Sequence, residues 1–243
     1  MDMELTEKII ANKLFDFIEE HFDKFECKGS SFGWWRSPNS WSPFVETCFL
    51  LWGENLIKEY KIDVIGHAFT HSNITEFMKM LKIKYNKDTK YALRGFDVSW
   101  HNKSRLILIL EHEETAKGKH TGQSSTIKNN LENIYDEMDK LLYFPAEFKI
   151  IVSRPRLGNG YQSYSEVMKY YIDEIEIKLI SFNPSENDRW LIILIGPTNK
   201  LKPNEETEIL FCSYLWEINK LIPACDEKRF KVKMDGNCKV RKV

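Results

Sequence analysis

No stretch of this chain approaches the roughly 18 apolar residues that a membrane-crossing helix requires. The opening residues, MDMELTEKII, are charged and run into an amphipathic pattern rather than the apolar core of a signal peptide. Cysteine is sparse and scattered. Cys27, Cys48, Cys212, Cys225 and Cys238 are odd in number, form no CxxC pair and show no Cys/His spacing of a zinc site. A reduced, cytoplasmic setting with no membrane partner is the expectation. An excess of one charge is missing too, since 35 basic residues face 36 acidic ones, so any nucleic-acid surface must be local. There is no GK[ST] phosphate loop and no glycine-rich dinucleotide fingerprint, and no Ser-His-Asp or Cys-His arrangement stands out. HEETA is not a zinc-protease H-E-x-x-H, because residue 116 is alanine. Nucleophilic, nicotinamide and zincin chemistry therefore drop away.

What is present is a well-furnished globular chain, 42% hydrophobic and 13% aromatic over 243 residues. Ile10, Leu14, Phe17, Ile18, Phe22 and Phe25 recur at helical spacing and predict a helix over 4–25. After a Trp-rich loop, GSSFGWWRSPNSWSP, Ser42 and Pro43 open a second helix through Val45, Cys48, Phe49, Trp52 and Leu56. A short strand near 62–69 and a helix near 74–85 follow. Residues 91–100 and 105–113 read as two strands joined by the polar break HNKS. A helix over 124–142, a buried strand FKIIVS at 148–153, a helix at about 164–179 and a strand WLIILIG at 190–196 complete the clearest elements. For 207–222, the spacing of Leu210, Tyr214, Ile218 and Leu221 favours a helix. The fold class is α/β, a mixed central sheet flanked by helices. No linker divides the chain, which reads as a single domain over 1–243. Residues 1–42 give an N-terminal helix and loop, 43–155 a core, and 156–243 a C-terminal helix and strand extension.

The chemistry concentrates where the apolar run 106–110 ends in Glu111, His112, Glu113 and Glu114. Strand alternation sets Arg105, Ile107, Ile109, Glu111 and Glu113 on one face, with Leu106, Leu108, Leu110 and His112 on the other. Folding back at HNKS brings Asp97 level with Glu111. Three carboxylates, Asp97, Glu111 and Glu113, then converge, and close acids cost energy unless something neutralises them. A hard divalent cation does so with oxygen ligands, and Mg²⁺ or Mn²⁺ fits one or two carboxylates plus phosphate and water.

An acid on one strand, a hairpin, and E-x-E closing the next strand resembles the PD-(D/E)xK nuclease superfamily. A following helix (124–142) and buried strand (148–153) extend the resemblance across about 43–155. It implies a restriction endonuclease-like core and a metal-dependent nuclease acting on DNA. Asp97 and Glu111 match the metal-binding and catalytic acids, and Glu113 stands at the position usually held by lysine. Two departures are plain: Phe96 precedes Asp97 where proline is usual, and the lysine is a glutamate, as in BamHI-type restriction enzymes. Such a glutamate serves as general base or as an extra metal ligand, and Lys117 or Lys119 can supply the missing ammonium. An acid from an earlier helix, Glu46 or Glu76, often completes such sites, although a solvated helix-start acid is the plainer reading of each.

Other features have plain readings beside functional ones. His112 reads as a packed, hydrogen-bonded histidine and His101 as a turn residue. Trp34, Trp35 and Trp41 around Arg36 read as core plugs, or as a stacking surface for bases. The ETAKGKH loop, RPRLGNG at 154–160 and the basic last sixteen residues are candidates for phosphate contact, or ordinary solvated surface. Two alternatives stand beside the nuclease: a nuclease-like fold without catalysis that binds nucleic acid or protein, and an unrelated metal-dependent hydrolase of a small phosphorylated substrate. A homodimer, its interface drawn from the aromatic-rich 163–222, accords with an enzyme that cuts both strands.

Overall fold

The computed structural model describes residues 5–22, 45, 48–49, 63–66, 97–102, 105–113, 127–155, 163–199, 202–235 and 240–243. Helix α1 spans Glu7–His21, capped by Thr6, whose hydroxyl accepts from the Ile9 amide at 3.3 Å. Residues 45, 48 and 49 are helical, with Val45, Cys48 and Phe49 buried. The strands are β1 (Asp63–Gly66), β2 (Val98–Asn102), β3 (Arg105–Glu113), β4 (Phe148–Ser153), β5 (Arg189–Pro197), β6 (Glu206–Glu217), β7 (Lys220–Pro223), β8 (Lys228–Met234) and β9 (Val240–Lys242). Helices α2 (Ile127–Leu142) and α3 (Tyr164–Phe182) separate β3, β4 and β5. The expected helix over 74–85 and the Trp-rich loop lie outside the described residues.

The nine strands among the described residues join one sheet, ordered β1-β2-β3-β4-β5-β6-β8-β9 with β7 on β6. Only β3–β4 and β4–β5 are parallel; the other pairs are antiparallel. Both parallel pairs are joined through helices, as a parallel crossover demands. Strands β3, β4 and β5 are covered on both faces and so read as near-continuous apolar runs. On one face Leu108, Leu110, Ile150, Val152, Ile193, Phe211 and Phe230 pack with α1. On the other, Ile109, Ile151, Ile192, Leu194 and Leu210 meet α2 and α3. The chain is thus an α/β protein with a mostly antiparallel open sheet flanked by helices.

The segment 207–222 is not a helix. It is the hairpin β6–β7, turned by Ile218 and Asn219 at φ 48° and 60°. Positive φ at both central residues is the type I′ signature that matches strand twist. Leu210, Tyr214, Ile218 and Leu221 fall at helical spacing by coincidence. The period-two set Thr207, Ile209, Phe211 and Ser213 is the one that is buried throughout.

A second correction concerns strand phase. Trp100 pairs with Leu108 but His101 pairs with Leu106, so Ile107 is an extra, unpaired residue in β3. This bulge re-aims the side chains before it. Ile107 joins Leu108 on the α1 face, and Leu106 packs on the α2 face. Simple alternation had placed both the other way round. Residues after the bulge keep the expected phase.

Beyond β4, Tyr164 at the start of α3 donates to the carbonyl oxygens of Pro155 and Ile195. Gly196 makes room for it, since a Cβ there would lie 1.6 Å from the tyrosine oxygen.

Candidate functional site

Asp97 occupies the bend immediately before β2, its amide donating to the Leu110 carbonyl at 3.2 Å. That bond sets Asp97 beside Glu111, because the next pair in the ladder is Val98 with Leu110. Asp97 and Glu111 are therefore brought together, as the fold-back at HNKS requires. The hairpin is tighter than expected, since His101 and Asn102 belong to β2 rather than to the turn.

Glu111 is 4% exposed at its side chain, and its Oε1 accepts no hydrogen bond among the described residues. Two residues of α2 that the sequence did not flag converge on it. Lys140 Nζ lies 3.5 Å from Glu111 Oε1 and also pairs with Glu137. Both residues flank the buried stripe Ile134, Met138 and Leu141, so their side chains start beside the sheet and meet near Glu111. Their spacing, three apart beside buried positions, was the available signal. It pointed at no partner until β3 was placed against α2.

His112 is packed, as expected, with its side chain 6% exposed, but its partner is the site's own aspartate. The His112 amide donates to Asp97 Oδ2 at 3.0 Å, and Nδ1 lies 2.5 Å from the same oxygen. Alternation sends His112 to the face opposite Glu111. Asp97 precedes the strand proper, so its carboxylate is free to serve both neighbours.

The two acids are driven apart in proton affinity. Burial raises the Glu111 carboxyl far above the usual range, and the charges of Asp97 and Glu137 add to this against the opposing pull of Lys140. Burial acts to raise Asp97 as well, but the His112 imidazole outweighs it and holds Asp97 below its ordinary value. A hydrogen bond between the two carboxyls lowers Asp97 and raises Glu111. One proton thus sits on Glu111 beside an ionised Asp97, the usual resolution for two carboxylates in one place. On Lys140, burial lowers proton affinity but is outweighed by the adjacent acids, which leave it raised.

Glu113 ends the E-x-E motif on β3, paired in register with Ser153 of β4; its side chain lies outside the described residues. Ser153 keeps a fully buried hydroxyl with no hydrogen-bond partner among the described residues. Among the described residues, no group of three or more His, Cys, Asp or Glu is arranged to hold a metal ion. The donors that do meet, Asp97 and the unbonded Glu111 oxygen, are hard oxygen ligands. They fit an ion that takes one or two carboxylates and completes its shell with water and phosphate.

Glu46, Glu76, Glu114, Lys117, Lys119 and the tryptophans 34, 35 and 41 lie outside the described residues. Of RPRLGNG, Arg154 and Pro155 are described, and both are buried. The described basic residues of the C-terminal segment lie in β8 and in the edge strand β9 rather than in a tail. Lys228 and Lys242 pair with Asp16 and Glu19 of α1, and Arg229 with Glu208 and Glu227. Within 163–222, Tyr164, Tyr171, Trp190 and Phe211 are core residues. Among the described residues no helix is long and apolar enough to cross a membrane. Compared with known proteins, the chain matches no family model and no curated protein.

Proposed function

We propose that this chain is a Mg²⁺- or Mn²⁺-dependent nuclease that hydrolyses phosphodiester bonds in DNA. The observation that carries the reading is the apposition of Asp97 and the buried Glu111 across the β2–β3 hairpin. Support also comes from the order of elements around them: strand, hairpin, motif strand, helix α2 and buried parallel strand β4. This is the order that the superfamily resemblance implies.

In this reading Asp97 and Glu111 would hold the ion, which would supply positive charge and acidify a water. Glu113, two residues along β3, accepts the proton of the attacking water. The water oxygen bonds to phosphorus, one P–O ester bond breaks, and the departing alkoxide takes a proton from solvent, giving a phosphate monoester and a free hydroxyl. His112 keeps Asp97 ionised and fixes its orientation.

A second reading has its own observation. Asp97 is engaged by His112, and Glu111 by Lys140, so both acids have protein partners. That arrangement suits a nuclease-like fold that binds nucleic acid or protein without cutting. Incubating supercoiled plasmid and genomic DNA with the protein in Mg²⁺, Mn²⁺ or Ca²⁺, beside Glu111→Ala, separates the two. The nuclease yields cleavage in Mg²⁺ or Mn²⁺ that the variant lacks. A folded protein that shifts DNA in Ca²⁺ gels but cuts nothing is the binding module.

A further inference from the structure

We draw no further inference here: the strongest candidate, the solvent-facing ridge of α3 on which Ile177 and Ile180 are 62% and 51% exposed, is an apolar face, and nothing among the described residues shows what covers it.

Discussion

At the residue scale, Glu111 buries a carboxyl at a desolvation cost. Its carboxyl is raised in the folded protein above the value of about 4.3 it has in an unfolded chain. The folded state therefore binds more protons than the unfolded state once pH exceeds that value, and stability falls as pH rises. Glu111→Gln removes this liability. The variant should be more stable than the wild type by about 1–3 kcal/mol at neutral pH. That gain should vanish below about pH 4, where both states carry a neutral side chain. Thermal melts across pH 3 to 8 check this, and a gain that persists at pH 3 would point to packing instead. Asp97 and Glu111 were legible as a pair because strand alternation and one fold-back are sufficient to align them. Glu137 and Lys140 were not, because their relevance depends on which strand α2 covers. The partnership of His112 with Asp97 was hidden for a different reason: a residue just outside a strand is not bound by its alternation.

At the element scale, the β6–β7 hairpin holds a β-branched residue where the chain least favours one. Ile218 has φ 48° and is 90% exposed, so no burial offsets the strain. Replacement by asparagine, which tolerates this conformation, should stabilise the protein by about 0.5–1 kcal/mol. Chemical denaturation reads this as a higher midpoint with unchanged slope; a lower midpoint would mean that Ile218 contributes contacts of its own. The same hairpin explains why 207–222 carries a helical pattern without being a helix. Its turn lacks the Asn-Gly or Asp-Gly that usually announces a type I′ turn, and Ile218 extended a false helical period. Strands β4 and β5 and helices α2 and α3 were readable because their apolar patterns end at strong signals. Ser163 and Glu166, for instance, form a capping box that starts α3, and Asn183 closes it in the left-handed conformation.

At the scale of the whole molecule, the first helix and the last strands form one body. Phe15 packs against Phe211 and Phe230 with ring centroids 5.2 and 6.1 Å apart, and Phe22 lies 5.0 Å from Phe230. The start of α1 is fastened elsewhere, by Glu7 to Arg189 at the head of β5. Truncating Phe15, which is 4% exposed, should cost about 3–5 kcal/mol. Amide exchange should quicken most in β8, while the β2–β3 hairpin keeps its protection. Uniform acceleration through the sheet would show that α1 supports the whole sheet rather than its far edge. None of this closure was visible in the sequence. Period and composition specify which face of α1 is apolar, but not which of nine strands receives it.

The bulge at Ile107 has a consequence for how this chain tolerates change in length. Losing that single residue restores a regular ladder between β2 and β3 and leaves every pair on either side as it was. Loss of one residue between Leu108 and Glu111 instead carries Glu111 to the α1 side of the sheet, away from Lys140. The tip of the hairpin is thus insulated from the acids: insertions and deletions on its side of Ile107 are absorbed, and those beyond it erase the site.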